Sequence, residues 1–346
     1  MLRKAKLNDL EAKMFIIKDA KASLNQLGIN MWSENYPNKQ EIIDDIKNEN
    51  AYVYCINNKV VATFSLFYGE DPIYEKIKSG TWSSNQPYGI IKRIAIAHEE
   101  RGKNIFGEII ENIALISIVK GFSSLRLDTH PDNQMMRGAL EKNGFHFVGE
   151  LHTDQIWSAY ELVLTDYPTR LQKASLSDIP LIMRTIDDAK ENLKKAGIDQ
   201  WQTGYPNEET AKKDILNENS YLYYENNEFV GVVALLFGED PLYKEIEDGA
   251  WKTEMPYCSI HRVAVAQGHL GKGIMGRIFE HTQTIATANN YHSIRIDTHP
   301  DNKSMQRALE KASFEYCGHI YLDNGGLRYA YEKPFNIESI NFLLDV

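Results

Sequence analysis

The chain repeats itself. Residues 169 positions apart are identical along most of its length: Lys4 and Lys173, Gly28 and Gly197, Trp32 and Trp201, Pro37 and Pro206, Gly69 and Gly238, Trp82 and Trp251, Tyr88 and Tyr257, Arg93 and Arg262, Phe145 and Phe314. The segment DTHPDN stands at 128–133 and again, unchanged, at 297–302. A period this long exceeds any solenoid repeat, so each copy is a whole domain. A length of 346 residues is also more than one hydrophobic core usually organises. The offset slips by two residues only near the end of each copy, where SAYELVL corresponds to RYAYEKPF. The boundary is therefore expected near TDYPTR, where Pro168 breaks regular structure. This gives domains 1–167 and 168–346, the second with a tail, FNIESINFLLDV, that has no counterpart and is expected to form a short packing helix.

Composition narrows the classes of function. At 43% hydrophobic and 25% charged residues the chain reads as an ordinary globular protein. No apolar stretch approaches bilayer-spanning length, and the N-terminal MLRKAKLNDLEAKMF lacks the apolar core of a secretory signal. Cys55, Cys258 and Cys317 have neither C-x-x-C spacing nor an even count, which suits a reducing cytoplasm and argues against a disulfide scaffold or a metal site. The net charge is −10, with 19 basic against 22 acidic residues in 1–169 and 19 against 26 in the remainder. Without a basic block, nucleic acid is not an expected partner. The acidity fits a cationic small molecule or peptide, or solubility alone.

Each copy carries the same order of local signals. Helical spacing at 8–28 and 177–197 ends at Gly28 and Gly197, and a second helix is expected at 39–48 and 208–217. AYVYCINNKVVATFSLFYG and SYLYYENNEFVGVVALLFG read as strand hairpins turning at Asn-Asn. The strands YGIIKRIAIA and YCSIHRVAVA follow, then a glycine-containing turn, a long helix at 104–120 and 273–289, the strands LRLDT and IRIDT, and a last helix. The early hairpin is antiparallel, and the later strand–helix alternation implies parallel pairing. Each copy is thus an α/β domain with a mixed central sheet flanked by helices.

The glycine turns, HEERGKNIFG and QGHLGKGIMG, lie between a strand and a helix start. Unpaired N–H groups at the positive end of a helix dipole bind phosphate, and glycines allow close approach. An ordinary strand-to-helix connection is the plainer reading, and neither Walker A nor G-x-G-x-x-G spacing is present. The order of elements, with RVAVAQGHLGKGIMG and IRIDTHPDNKSMQRALEKASF and their first-copy equivalents, resembles the GNAT superfamily of N-acetyltransferases over essentially each whole copy. The resemblance implies two tandem GNAT-like domains that use acetyl-CoA. In that family the turn is written Arg/Gln-x-x-Gly-x-Gly/Ala and holds the cofactor's pyrophosphate. It maps onto Arg101, Gly102, Lys103, Asn104, Ile105, Phe106 and Gly107, and onto Leu270, Gly271, Lys272, Gly273, Ile274, Met275 and Gly276. The first copy supplies the cation Arg101 but Asn104 in place of the first glycine. The second has Gly273 but Leu270 in place of the cation, and its backbone freedom makes it the expected better site. The resemblance also implies that the strand edges Ile94–Ala95–Ile96 and Val263–Ala264–Val265 face the cofactor, with Asn133 and Asn302 beside its pantetheine arm. The tyrosine the family often carries seven residues after that asparagine is replaced by Leu140 and Leu309.

Acetyl transfer to an amine of pKa about 10.4 needs deprotonation, which at pH 7 costs roughly 4.6 kcal/mol, so a base is required. Candidates are Glu70/Asp71 and Glu239/Asp240 in GEDP, and His261, which the first copy replaces by Lys92. His130 and His299 end strands where open α/β sheets place ligands, and Tyr88 or Tyr257 is a candidate acid. Glu239, His261, His299 and Tyr257 are accordingly the expected catalytic set. The loops GINMWSENYPN and GIDQWQTGYPN offer Trp32, Tyr36, Trp201 and Tyr205 as an aromatic wall for a cationic or apolar acceptor, or as local packing anchors. The expectation is a cytoplasmic, monomeric pseudo-dimer that transfers acetyl to a primary amine. The rivals are an acyl-CoA-binding module in which one or both copies do no chemistry, and aminoacyl transfer to cell-wall precursors, against which LGKGIMG argues.

Overall fold

The computed structural model describes residues 1–335, so the tail helix expected from FNIESINFLLDV lies outside the described residues. The chain divides into two compact units, one spanning Met1–Tyr167 and one beginning at Pro168.

The first unit contains β1 (Leu2–Lys4), α1 (Leu10–Gln26), α2 (Lys39–Lys47), β2 (Ala51–Ile56), β3 (Lys59–Tyr68), β4 (Ile77–Lys78), β5 (Tyr88–Ile96), α3 (Ile105–Val119), β6 (Ser124–Thr129), α4 (Gln134–Lys142), β7 (His146–His152) and β8 (Ile156–Val163). The second contains β9 (Arg170–Lys173), α5 (Ile179–Lys195), α6 (Glu208–Leu216), β10 (Ser220–Glu225), β11 (Glu228–Phe237), β12 (Tyr257–Val265), α7 (Ile274–Ala288), β13 (Ser293–Thr298), α8 (Lys303–Lys311), β14 (Glu315–Tyr321) and β15 (Leu327–Pro334). The sheet orders are β1-β2-β3-β5-β6-β8-β7-β4 and, read from the other edge, β9-β10-β11-β12-β13-β15-β14. Only β5–β6 and β12–β13 are parallel, because only these pairs are joined by a crossover helix, α3 or α7. The last two strands of each unit pair as an antiparallel hairpin and return beside the parallel strand. The mixed sheet expected from sequence is thus mainly antiparallel.

Local chemistry accounts for these elements. Gly197 follows α5 at φ +72°, and the Ile198 amide reaches back to the Leu193 carbonyl, the closure a left-handed residue makes possible at a helix end. Asn57–Asn58 and Asn226–Asn227 all have positive φ, the type I′ geometry that matches strand twist in a two-residue hairpin. Asn38 and Asn207 cap α2 and α6 by accepting the amides of Glu41 and Thr210. Apolar side chains of the first two helices then cover one sheet face: Ile16, Ile17, Ile42 and Ile46 in the first unit, and Ile182, Ile186, Ala211 and Ile215 in the second. No helix among the described residues is long and apolar enough to cross a membrane.

Candidate functional site

The site begins with a defect in one strand. In β12, the residues from His261 to Ala264 span the β11 positions Ala234 to Val232, so β12 carries an extra residue. Arg262 absorbs it at φ +46°, the left-handed backbone of a β-bulge. The Arg262 guanidinium is held by Asp214 of α6, with Nη2 donating at 2.7 Å, and Nη1 donates to the Tyr205 hydroxyl at 3.0 Å. A bulge bends its strand, and here β12 leaves its parallel neighbour. Pairing with β13 ends at Ile260↔Ile296, although β12 continues to Val265 and β13 to Thr298.

The opening between the parted strands is a cavity of about 320 Å³, lined by Val263, Ala264 and Val265 on one side and Ile296, Thr298 and Asn302 on the other. Leu270 and Met275 also face it. Asn302 caps α8 by accepting the Met305 amide at 3.1 Å and donates its own amide to Gln200 Oε1 at 2.9 Å. The Thr298 hydroxyl is buried with no hydrogen-bond partner in the protein. An unmatched buried hydroxyl is costly unless something else binds it. Its place on the cavity wall fits a polar ligand there.

A larger cavity, about 1210 Å³, lies on the other side of the bulge and shares Trp201, Tyr205, His261, Arg262 and Arg328 with the first. At this junction His261 Nε2 lies 2.6 Å from Asp240 Oδ2. Burial pushes the Asp240 carboxyl up, but the hydrogen bond and charge of His261 outweigh it and hold the acid below the usual carboxylate range. Asp240 is positioned by a backbone clasp: its Oδ1 accepts the Leu242 amide at 3.0 Å, and its own amide donates to the Tyr257 hydroxyl at 2.9 Å. The His261 ring stacks on buried Tyr243, with centroids 5.5 Å apart. In its neutral form with Nε2–H donating to the carboxylate, His261 would present the Nδ1 lone pair, the arrangement of an oriented general base.

The glycine turn leads into α7 with Gly273 as N-cap at φ +77°, and no side chain caps the helix. A Cβ added to Gly271 or Gly276 would meet nothing within 4 Å, whereas one on Gly273 would meet Arg277 Nη1 at 3.2 Å. Arg277, in that first turn, is gripped by Glu225, with Nε donating at 2.6 Å and Nη2 at 2.9 Å, and its Nη1 bonds the Lys272 carbonyl at 3.1 Å. Lys272 is exposed, and Ile274 is buried under the turn. Backbone amides at a helix N-terminus suit a phosphate group, while the guanidinium beside them is neutralised by Glu225.

The first unit repeats the architecture with different side chains at the corresponding positions. Arg93 forms the same bulge at φ +54°, and β5–β6 pairing ends at Ile90↔Arg126. Met31, which replaces Gln200, lies where its sulfur faces both Asn133 and Thr129, at 3.7 and 3.8 Å. Trp32 is buried in a cluster with Ala95 and Ala97, whereas Trp201 lines both cavities of the second unit. Ile94 is also buried, and Ile96 supplies its carbonyl to Arg101 Nε at 3.0 Å. Lys92, in place of His261, forms an ion pair with Asp71. The cation expected from Arg101 is already committed to Asp19 and to Ser23 Oγ, the latter at 2.8 Å. Lys103 pairs with Glu100 at 3.1 Å. Asn104 takes the left-handed N-cap position at φ +65°, and its side chain lies over Gly107, whose added Cβ would meet Asn104 Oδ1 at 3.0 Å. Gly102 is exposed at φ +79°, Ile105 and Phe106 are buried in α3, and Glu108 stands where the second unit has Arg277.

The structure therefore sorts the expected residues. His261, Trp201, Tyr205, Asn302 and the edge Val263–Val265 converge on the cavities, and His299 lines the larger one with Nδ1 accepting the Asp301 amide at 3.2 Å. Glu239 is exposed and lines neither cavity; its neighbour Asp240 is the carboxylate on His261. Tyr257 lines neither cavity, because its ring lies under the Arg295 guanidinium, 3.8 Å away, and its hydroxyl holds the Asp240 backbone. Tyr36 is partly exposed and accepts from Arg93 Nη1 at 3.1 Å. Leu309 and Leu140 are fully buried and offer no acid. Arg277 was missed, although the repeat offset that aligns it with Glu108 displays the reversal of charge. Arg328 was missed because it follows the two-residue slip and has no matching residue type in the first copy.

The sequence model of the Acetyltransferase (GNAT) family matches residues 186–314, within the second unit. No curated protein matches the chain. Among solved structures, a GNAT-family acetyltransferase from Streptococcus agalactiae 2603 is 31% identical over 48% of this chain and 95% of its own, with a TM-score of 0.44. A GNAT-family acetyltransferase from Listeria monocytogenes 4b F2365 is 18% identical over 48% and 95%, with a TM-score of 0.39. An aminoglycoside acetyltransferase, AAC(6')-Ib, solved with coenzyme A and kanamycin, is 17% identical over 48% and 94%, with a TM-score of 0.37.

Proposed function

The chain belongs to the GNAT acetyltransferase family, and from that premise we propose that its second unit transfers acetyl from acetyl-CoA directly to a primary amine of a small molecule or peptide. The observation that carries this reading is the His261–Asp240 pair, 2.6 Å apart, at the junction of two cavities.

The residues present suit acetyl-CoA. The amides at the start of α7, approached over Gly271 and Gly273, would hold the diphosphate. The unpaired edge Val263–Val265, facing Thr298 and Asn302, would take the amide-bearing arm. Acetyl-CoA supplies an activated acetyl group as its thioester. The chain supplies the proton acceptor: His261 Nδ1 takes the proton of the attacking amine while Asp240 stabilises the resulting imidazolium. Amides along the Val263–Val265 edge stand ready to meet a developing oxyanion. Leu309 is buried and Tyr257 lines neither cavity, so neither position supplies an acid. A thiol of pKa about 8.5 would be a tolerable leaving group near neutral pH without an acid from the protein.

The first unit is proposed as a non-catalytic companion, in keeping with Met31, Trp32, the Lys92–Asp71 pair and Glu108. Two copies of the domain in one chain make a monomer the expected assembly. A second reading, acyl-CoA binding without transfer, draws on the buried leucines that replace the family tyrosine.

Free-thiol release from acetyl-CoA over a panel of amines separates the two readings. His261→Gln is expected to lower kcat by about 10²–10⁴-fold, the usual contribution of a general base, while acetyl-CoA affinity stays within a factor of two or so. Binding of acetyl-CoA with no turnover on any amine would favour the second reading. Equal kcat in the variant would remove His261 from the chemistry.

A further inference from the structure

The larger cavity contains one buried cation whose charge is poorly matched. Arg328, at the start of β15, has a side chain only 11% exposed, yet it lines both cavities. Its Nη1 donates to the neighbouring Leu327 carbonyl at 2.8 Å. Its nearest acid is Asp297, with Oδ2 3.8 Å from Nε, too far for a hydrogen bond. Asp297 is itself engaged by the Tyr243 hydroxyl at 2.8 Å. A guanidinium has five N–H donors, and among the described residues Nη2 has no acceptor. The other arginine of the cavity is different, because Arg262 is gripped at two nitrogens by Asp214. Lys213 and Lys244 are exposed and solvated.

The first unit has Trp157 in the place of Arg328, within the hairpin that is two residues shorter. The extra length in the second unit lets Leu322, Asp323, Asn324 and Gly326 wall the cavity beside Arg328. The acids of this cavity other than Asp240, among them Asp199, Glu247 and Asp323, are exposed at its rim. The cavity thus has an acidic entrance, a base at its junction and a guanidinium inside that is only loosely matched by Asp297.

We propose that the acceptor amine also carries a carboxylate, which Arg328 binds while His261 faces the amine; the substrate class is amino acids or short peptides with a free carboxylate. This rests on the acetyl-transfer reading above. Guanidinium and carboxylate match as planar, bidentate partners, and a site built around such a pair discriminates strongly against a ligand that leaves the guanidinium unpaired. Rim acids attract the ammonium end of the same zwitterion.

The test uses the full chain with acetyl-CoA and three sets of probes: the common L-amino acids, their α-carboxamides, and glycyl-extended dipeptides. Turnover is read by thiol release, and probe binding by calorimetry in the presence of CoA. At least one carboxylate-bearing probe is expected to exceed its carboxamide by about 10²-fold in kcat/KM and to bind more tightly. The dipeptides show how far from the amine the carboxylate sits. Arg328→Gln is expected to collapse that ratio to near unity, mainly through KM, and Arg328→Lys to restore part of it. The wild-type ratio alone decides the matter if the variants fold poorly. Carboxamides turned over as well as their acids would overturn the proposal and leave acetyl transfer standing. Turnover and binding absent for every probe, with acetyl-CoA still bound, would also overturn it. Failure of acetyl-CoA itself to bind would overturn both readings.

Discussion

Lys13 offers a prediction whose size follows from the structure. It lies on α1 of the first unit, fully buried, with Nζ donating to the Tyr52 carbonyl at 3.1 Å and to the Thr63 hydroxyl. Burial drives its pKa down to about 7, against the pull of Asp45 and Asp9 in the other direction. The second unit has Ile182 and Val232 at the corresponding positions, so the fold accepts an apolar pair there. A folded-state pKa below the unfolded one means that, between pH 7 and 10.5, the unfolded chain holds a proton that the folded chain has shed. Stability therefore rises with pH across that window, and the full penalty is present below it. At 1.36 kcal/mol per pKa unit, the gain from pH 7 to 9.5 is about 3 kcal/mol. The buried tyrosines Tyr52 and Tyr68, whose pKa values are raised, act only at higher pH and in the opposite direction. The assay is urea unfolding followed by hydrogen-exchange mass spectrometry, which reads β2 and β3 separately from the second unit. The wild type is expected to gain stability over this range and Lys13→Ile/Thr63→Val to lack the gain. Parallel pH profiles would refute the argument.

Two further outcomes are expected. Arg101→Ala should leave acetyl-CoA affinity unchanged and cost the first unit about 1–2 kcal/mol in urea melts, because Arg101 joins Asp19 and Ser23 to the end of β5 and faces no free ligand site. Thr298→Val should raise or preserve the melting temperature of the free protein, since it deletes an unmatched buried hydroxyl, yet weaken acetyl-CoA in calorimetry if that hydroxyl bonds the bound arm.

What the sequence made legible were features set by local chemistry. The turn at Asn226–Asn227 and the helix stop at Gly197 follow from residue types that tolerate positive φ, and the repeat doubled each signal. Side-chain direction was not legible. Glu239 and Asp240 are adjacent acids, and only the fold decides that Asp240 turns inward. Tyr257 looked like an acid, but a strand-end phenol serves equally to hold a loop amide. Arg101 looked like a phosphate ligand, yet its partner Asp19 lies 82 residues away in sequence and is recognisable only in three dimensions. Trp32 and Trp201 hold the same repeat position, yet Trp32 is buried and Trp201 lines both cavities, with Met31 beside the one and Gln200 beside the other.

The central claim is that the second unit alone holds the cofactor, and calorimetric titration of the full chain with acetyl-CoA tests it most directly. The account predicts one site per chain, abolished by Gly273→Glu, which places a bulky carboxylate where the diphosphate would approach the helix start, and retained in Asn104→Glu. Two sites per chain, or a single site lost in Asn104→Glu and kept in Gly273→Glu, would contradict it.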